Sequence, residues 1–300
     1  MTASKNYYRS WEVSRPTAHR TNSAISPDLP ICVKLLASIT LAFVALLFSP
    51  RSGDGDGVNT PNCNPILTAK ETLLTMTAKL LSVQSGKIAP LGPNKVLSGF
   101  VKISHDGPVK IGPLGLEGDE QADPKVHGGP EKAVYAYAAS NYVAWQIEYP
   151  ALQTLFVPGG LGENLTIDGM SETTIHVGDI HAIGSALLQV CQPRQPCFKL
   201  ALRFGNKHLP KAMVQNGRSG WYYRVLQPGT IGAGDDIFLR EQPNPDFAFS
   251  RLVAIVNHGN ATMDEITRMA NMPGLASKWQ SLARATLDGL GPTSGAGALP

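Results

Sequence analysis

Charged residues are scarce in this sequence of 300 residues. Asp, Glu, Lys and Arg together make up 16% of it, whereas about a quarter is usual for a globular chain. The net charge is +3 at pH 7, and the cations are spread along the chain rather than gathered in one block. A protein that follows a phosphate backbone needs a basic patch or stripe. We therefore exclude a nucleic acid polymer as the partner.

Cysteine is also rare, with four residues in the whole chain. They are Cys32, Cys63, Cys191 and Cys197. Their positions lack the paired spacing of a zinc site, and four thiols in a chain of this length do not make a disulfide scaffold. The sequence therefore predicts a protein of a reducing compartment, and the expected location is cytoplasmic.

Glycine and proline, by contrast, are frequent, with 30 and 23 residues, and 43% of the chain is hydrophobic. Such a chain can fill a core and turns often, which favours short strands over a helical bundle. Strands are predicted at 79–84, 96–103, 132–138, 163–167, 179–184, 186–192 and 236–240. Helical spacing is found at 140–149 and from 197 to about 224. The expected fold class is α+β, with a mostly β, barrel-like domain over residues 76–240.

The composition changes after Arg240, where EQPNPDF is typical of a linker. We predict a small three-helix C-terminal subdomain over residues 241–288, followed by a tail at 289–300. Gly259 is placed to end the first of these helices, and TMDE, which begins at Thr262, is a capping box. The expected role of the helices is packing or dimerisation, which makes a homodimer one of the expected assemblies.

The N-terminal extension, residues 1–75, contains the apolar run ICVKLLASITLAFVALLFS at 31–49. Its uncharged part is shorter than the roughly 20 residues of a spanning helix, although Lys34 could snorkel to the interface. Met76 opens a stretch that is typical of the start of a domain. Two interpretations stay open. Either the extension is not part of the functional protein, or segment 31–49 is a signal anchor and the protein is membrane-anchored.

The segment QPRQPCFKL holds the best candidate for a reactive thiol. Pro196 suits the first position of a helix, which would place Cys197 in the first helical turn. The helix dipole and the nearby cations Arg194 and Lys199 would all favour its thiolate, which acts as a nucleophile or as a soft metal ligand. Cys191 lies in an alternating strand, where a buried hydrophobic role is expected. A structural role for Cys197 stays open on spacing alone.

A second group of candidates lies in GDEQADPKVHGGPEKAVYAY. His127 precedes two glycines that allow the backbone to approach a ligand closely, and Lys132 leads into a strand. A glycine-rich turn beside a lysine suits an anionic group such as phosphate, although the turn could be structural only. The acidic residues Asp119, Glu120 and Asp123 lack ligand spacing, so we expect them in a solvated loop.

Two further stretches complete the candidates. In PGGLGENLTIDG, glycines precede Asn164, whose amide could meet a polar ligand. In NGRSGWYYRVLQPG, Arg218 stands close to Trp221 and Tyr222, a mixture of cation and rings that suits a flat, charged heterocycle. A surface turn and a core helix are the alternative interpretation of this last stretch.

Taken together, these motifs in this order resemble the MOSC family, named for the C-terminal domain of molybdenum cofactor sulfurase. The matching segments are GDEQADPKVHGGPEKAVYAY, GENLTI, VGDIHAIG, QPRQPCFKL, GRSGWYYRVL and GDDIFL. The resemblance covers roughly Met76 to Leu287 and points to the bacterial hydroxylaminopurine-resistance branch, of which the three C-terminal helices are typical. It implies a barrel-like fold and a molybdenum cofactor, a molybdopterin, whose metal is bound by Cys197.

The same resemblance implies an oxidoreductase that reduces N-hydroxylated substrates, such as hydroxylamino base analogues, to amines. The expected partners are that small-molecule substrate and a flavin or iron–sulfur reductase as electron donor. Lys132, Arg194 and Lys199 would offset the charge of the cofactor. His127 and Asn164 would line the pocket. Arg218 completes the candidate cofactor-binding residues.

Two other functions stay open. In a sulfur carrier, Cys197 would hold a persulfide delivered by a pyridoxal-phosphate-dependent desulfurase. Nothing here resembles the desulfurase domain and no Schiff-base lysine can be chosen, so pyridoxal phosphate binding stays a family-level expectation. In a membrane-tethered interaction module, segment 31–49 would be the anchor, and PRQP at 193–196 and the C-terminal helices would contact the partner.

Overall fold

Short strands and helices alternate along the structure, a computed structural model that describes residues 78–289. The strands are β1 (Ala78–Ser85), β2 (Ala89–Leu91), β3 (Val96–Ser98), β4 (Ile103–Ser104), β5 (Val109–Gly112), β6 (Gly115–Leu116), β7 (Val134–Ala138), β8 (Leu165–Asp168), β9 (Ile180–Ile183), β10 (Ala186–Pro193), β11 (Trp221–Gln227), β12 (Gly229–Ile231) and β13 (Asp236–Glu241). The helices are α1 (Pro124–His127), α2 (Ala139–Glu148), α3 (Phe198–Phe204), α4 (Leu209–Asn216), α5 (Phe249–His258), α6 (Met263–Ala270) and α7 (Ser277–Gly289). The predictions for residues 1–75, segment 31–49 and most of the tail lie outside the described residues.

Seven strands close into a barrel in the order β13-β9-β10-β11-β7-β8-β1, and the ring closes because β1 also pairs with β13. All of these pairs are antiparallel except β7 with β8. Helix α2 lies between those two strands in the chain, as a parallel connection requires. The predicted α+β class with a barrel-like domain is confirmed.

Strand β7 is buried on both faces, since all five of its residues are inaccessible. Val134, Ala136 and Ala138 belong to the hydrophobic cluster that fills the barrel. Tyr135 and Tyr137 point the other way, into a second cluster that includes residues of α2, α3 and α4. The barrel wall at β7 therefore separates two cores, and the second core supports the segment that carries Cys197.

The three helices after Arg240 pack on the barrel, because Phe249, Ile266 and Trp279 share one hydrophobic cluster with its interior. Helix α5 ends at Gly259 with φ 68°, a conformation that glycine adopts without strain. At the start of α6, the Thr262 side chain accepts from the backbone N–H of Glu265, and the capping box is complete. The helices therefore begin and end where local sequence chemistry predicts.

One stretch differs from its expected secondary structure. Helical spacing was assigned from 197 to about 224, but residues 221–227 form strand β11, which pairs with both β10 and β7. Trp221, Tyr223 and Val225 are buried and alternate with more accessible residues. This period of two is the pattern of a strand, and the interpretation as a helix was wrong there.

In the described part of the chain, no helix combines the length and the apolar character needed to cross a membrane.

Candidate functional site

A cavity is lined by residues of β7, β11 and the start of α3, and it gathers six of the seven predicted site residues. The six are His127, Lys132, Asn164, Arg194, Cys197 and Lys199. Tyr135 and Tyr222 add aromatic rings to its walls. Residues 78–289 contain no cluster of three or more His, Cys, Asp or Glu side chains suited to a metal ion. The cavity therefore combines one thiol with several cationic side chains.

Cys197 is the N-cap of helix α3, so the helix begins at Phe198, two residues later than expected. The placement of Pro196 at the first helical position was wrong, because this proline precedes the N-cap. Burial opposes ionisation of the Cys197 thiol, but the neighbouring side chain of His127, the charge of Arg194 and the backbone N–H of Lys199 outweigh it and lower the pKa from 9.0 to about 7. The thiol is thus more readily ionised than an ordinary cysteine.

Arg194 is a buried cation, with 5% of its surface exposed. Its guanidinium lies 5.4 Å from the ring centre of Tyr135 and 5.9 Å from that of Phe100. Nη1 donates to the sulfur of Met213 at 3.2 Å. Among the described residues no carboxylate forms an ion pair with it. A buried cation in this setting favours a bound anion.

Lys199 is the second buried cation, with 9% exposure and no ion pair within residues 78–289. The acidic side chains of the cavity walls already form ion pairs with other lysines. Asp119 forms an ion pair with Lys102, and Glu120 forms one with Lys87 at 2.9 Å. The cavity therefore keeps a net positive charge beside the thiol.

Asp119 was expected in a solvated loop, and that expectation was wrong. Only 3% of its side chain is exposed. Its Oδ1 accepts from the backbone N–H of Gly86 at 2.7 Å, and its Oδ2 accepts from Asn164 at 2.9 Å. The carboxylate is thus a structural link between the loop that follows β1 and the cavity wall.

The HGG turn forms as the sequence indicates. Helix α1 ends at His127, and Gly129 has φ 95°, which favours glycine. A short 3-10 helix, Pro130–Lys132, follows and leads into β7. Within the turn, Nζ of Lys132 donates to the carbonyl of Val126. The loop therefore folds back on itself at the cavity and places His127 in the wall that Cys197 also lines.

Asn164 lines the cavity, but its amide is engaged within the protein. Oδ1 accepts from the backbone N–H of Tyr135 at 3.1 Å, and Nδ2 donates to the carbonyl of Gln84 at 3.2 Å as well as to Asp119. The neighbouring Glu163 is buried and accepts from the backbone N–H of Gly159 at 2.6 Å. The glycine-rich stretch is thus held by its own carboxylate, and Asn164 joins β1 to β7.

Arg218 does not reach this cavity. Its guanidinium lies 4.6 Å from the ring centre of Trp145 and forms an ion pair with Glu148 on helix α2. It lines a separate cavity between α2 and α5. The structure therefore separates Arg218 from the other predicted site residues.

The aromatic walls were only partly anticipated. The sequence predicts Tyr222 as a ring that could contact a heterocycle, but it gives no such prediction for Tyr135. Their rings are 5.5 Å apart. Burial raises the pKa of the Tyr222 hydroxyl to about 12, so it is protonated at neutral pH. The period-two pattern of VYAYA could have identified Tyr135 as a residue that faces away from the barrel.

The PRQP stretch does not form an exposed ligand segment. Pro193 ends strand β10 and is buried, as is Arg194. The first proline of the polyproline-type element is thus inside the protein, although Gln195 is exposed and Pro196 partly so. The stretch instead delivers Cys197 and Arg194 to the cavity.

Comparison with known proteins agrees with this arrangement. The family described as MOSC domain matches residues 123–238, which include the thiol, both buried cations and the HGG turn. Protein YiiM of Escherichia coli K12 is 38% identical over 199 residues, which is 66% of this chain and 88% of that protein. A protein of Gibberella moniliformis named Reductase is 37% identical over 197 residues, but the matched part spans only 35% of its length.

A solved structure shows the same fold. The crystal structure of YiiM from Geobacillus stearothermophilus superimposes with a TM-score of 0.59 at 32% sequence identity. The match covers 70% of this chain and 99% of that one.

Proposed function

The chain belongs to the MOSC domain family, and from this we propose that it is a molybdenum-cofactor-dependent oxidoreductase that reduces N-hydroxylated compounds to amines. Cys197 would be the protein ligand of the molybdenum. Arg194 and Lys199 would hold the anionic part of the cofactor, with Lys132 at the edge of the cavity.

A thiol with lowered pKa beside two buried, unpaired cations carries this proposal. Thiolate is a soft ligand that suits a metal such as molybdenum, and the pKa of Cys197 is lowered to about 7. A molybdopterin carries a phosphate and a dithiolene, both anionic. Arg194 and Lys199 lack carboxylate partners in the described part of the chain, so an anion would remove the cost of burying them. The residues of the cavity thus fit the group.

The bound cofactor would supply two-electron redox chemistry. Reduction of an N-hydroxylamine takes up two electrons and two protons and releases one amine and one water. The electrons would come from a flavin or iron–sulfur reductase. The protein would hold the substrate beside the ring of Tyr222, which lines the cavity, and the protonated hydroxyl of Tyr222 is a hydrogen-bond donor. His127 would keep the sulfur of Cys197 ionised.

The metal content of the purified chain tests this proposal. The full chain is produced in a host that makes molybdenum cofactor, and molybdenum per chain is measured by elemental mass spectrometry beside Cys197→Ser. We expect near-stoichiometric molybdenum in the wild type and its loss in the variant, with the same circular dichroism spectrum. Metal retained in a folded Cys197→Ser variant would refute the assignment of the ligand. Reduction of a hydroxylamino base is then assayed with dithionite as electron source.

The relative named Reductase is consistent with a redox role. The proposed electron donor is a flavin or iron–sulfur reductase. No nucleic acid polymer is expected as partner, while a homodimer and the cytoplasmic location remain parts of the proposal.

A sulfur-carrier role is the second candidate, because a thiol with a pKa of about 7 is also suited to persulfide chemistry. After incubation with a cysteine desulfurase and cysteine, mass spectrometry should then find one additional sulfur on the Cys197 peptide. Absence of this adduct, together with bound molybdenum, would leave the oxidoreductase.

A membrane-tethered interaction module is less well supported, since Pro193 and Arg194 of PRQP are buried. Fractionation of cells that express the full chain tests it. Recovery of the protein in the soluble fraction would remove this alternative and support the cytoplasmic location.

A further inference from the structure

Glu131, which stands between the HGG turn and Lys132, connects the cavity to the C-terminal helices. Its Oε1 accepts from the backbone N–H of Ser277 at 2.9 Å, and its Oε2 accepts from the hydroxyl of the same serine at 2.9 Å. Ser277 is the first residue of helix α7. Arg224 of strand β11 completes the contacts with an ion pair of 2.7 Å to Oε1. A single carboxylate thus joins loop, barrel and C-terminal helix.

The backbone of Glu131 is held as firmly as its side chain. Its carbonyl oxygen accepts from Nε2 of Gln192 at 2.8 Å and from the thiol of Cys191 at 3.1 Å. Both of these residues also contact the C-terminal helical unit. Ala276 donates its backbone N–H to the carbonyl of Cys191 at 3.0 Å, and Trp279 donates to Oε1 of Gln192 at 3.3 Å.

Glu131 lies in the loop that carries two residues of the cavity wall. Glu131 follows His127 by one short turn and immediately precedes Lys132, and both of these residues line the cavity. Helix α1 has no buried residue, so apolar burial does not fix this part of the loop. Hydrogen bonds to distant elements must therefore supply much of its order.

We propose that Glu131 is a positioning residue, and that Ser277 holds it so that helix α7 fixes the loop carrying His127 against Cys197. The C-terminal helical unit would then be part of the working site, beyond its role in packing. The contacts of Glu131 with Ser277 support the coupling between the loop and helix α7. The importance of this coupling for cofactor binding rests on the proposed function.

Hydrogen–deuterium exchange of the full chain tests the coupling without any metal. Ser277→Ala removes one hydroxyl from the contact, Ser277→Thr restores it, and Ser281→Ala makes the same change at an exposed position of α7 that has no such contact. We expect amides of residues 124–132 to exchange about fivefold faster in Ser277→Ala, the effect of one hydrogen bond. The threonine variant and Ser281→Ala should match the wild type. Exchange that is unchanged in Ser277→Ala, or faster throughout the chain, would overturn the proposal.

A second comparison tests whether the two residues act through one contact. Glu131→Gln weakens both bonds to Ser277 and removes the ion pair with Arg224, so the loop should exchange faster than in Ser277→Ala. In Glu131→Gln the bond from the Ser277 hydroxyl is already weakened. Adding Ser277→Ala should therefore change the exchange rate of the loop amides by less than twofold. Additive effects of the two substitutions would contradict the coupling.

Molybdenum content connects the coupling to the site. We expect Ser277→Ala to retain less molybdenum per chain than Ser277→Thr and Ser281→Ala at equal thermal stability. Equal retention in all three would overturn the positioning role. Molybdenum absent from the wild type as well would count against the proposed function, and the exchange comparison would still decide whether the loop depends on helix α7.

Discussion

His127 at the end of helix α1 and Cys197 at the N-cap of helix α3 line one cavity, and the imidazole helps to lower the pKa of the thiol. The two residues approach Arg194 and Tyr222 in the same cavity. A thiol that is buried by itself would resist ionisation, as Cys191 shows, whose pKa burial raises to about 12. Cys191 is fully buried, whereas Cys197 is partly exposed and lies beside His127 and Arg194, which favour its thiolate.

The first prediction concerns the effect of His127 on the pKa of Cys197. His127→Ala should raise the pKa of Cys197 from about 7 toward 9.0, since burial then meets less opposition. The thiolate absorbance near 240 nm, measured against pH with Cys197→Ser as the blank, gives this pKa in the cofactor-free protein. His208→Ala is the control, because His208 is exposed and outside the cavity. A pKa that stays near 7 in His127→Ala would show that the imidazole does not stabilise the thiolate.

The second prediction concerns the cost of a buried cation. Lys199→Met should stabilise the cofactor-free protein by about 1 kcal/mol, because it replaces an unpaired charge in the first turn of α3 by an apolar chain of similar length. The same variant should bind less molybdenum. Urea unfolding and elemental analysis measure the two effects.

Lys211→Met is the matched control for that experiment. Lys211 also lies in the first turn of a helix, α4, but it is exposed. Its replacement should change the free energy of unfolding by no more than about 0.5 kcal/mol and leave the molybdenum content unchanged. A Lys199→Met variant that loses stability would mean that the ammonium group has a partner in the folded protein.

The third prediction separates Arg218 from the cofactor site. Arg218→Gln should keep the molybdenum content of the wild type, because the side chain contacts Trp145 and Glu148 instead of the cavity. Loss of the cation–π contact and of the partly exposed ion pair should lower the free energy of unfolding by about 1 kcal/mol. Arg194→Gln, examined in parallel, should lose molybdenum. Equal loss of metal from both variants would return Arg218 to the cofactor-binding residues.

The fourth prediction uses the capping box of helix α6. A hydrogen bond from Arg251, together with bonds from Thr262, lowers the pKa of Glu265 from 4.5 to about 2. A carboxylate with a lowered folded-state pKa stabilises the protein fully above about pH 4.5, and this contribution is lost as the pH falls toward 2. Glu265→Gln should therefore cost about 0.5–1 kcal/mol at pH 7 and less at pH 3. Urea unfolding at both pH values measures the difference in unfolding free energy between the wild type and Glu265→Gln. A difference that does not change with pH would contradict the lowered pKa of Glu265.

The barrel was largely predictable because its strands follow local rules. Alternating apolar residues, with glycines or prolines at the ends of each run, predict most of the barrel strands from β1 to β13. Strand β11 was missed although Trp221, Tyr223 and Val225 alternate, because the helical stretch before it was extended too far. The closure of the ring depends on pairing between β1 and β13, which no local pattern reports.

The cavity was predictable where the chemistry is local. Arg194, Cys197 and Lys199 are close in sequence, so their proximity followed from the spacing. The contact of His127 with the thiol, by contrast, depends on the fold. The amide of Asn164 is bonded to Gln84 and Asp119, which are distant in sequence. Lys199 has no ion pair within residues 78–289, and Asp119 pairs with Lys102 instead. Sequence spacing does not predict either of these arrangements.

The pairing of β1 with β13 also constrains how the protein folds during synthesis. The first barrel strand has its antiparallel neighbour only after the chain has been translated to Glu241, and until then one of its edges lacks its final partner. Such distant pairing slows folding and exposes an aggregation-prone edge. A nascent chain stalled before that point would therefore be a natural client of chaperones that shield unpaired strands.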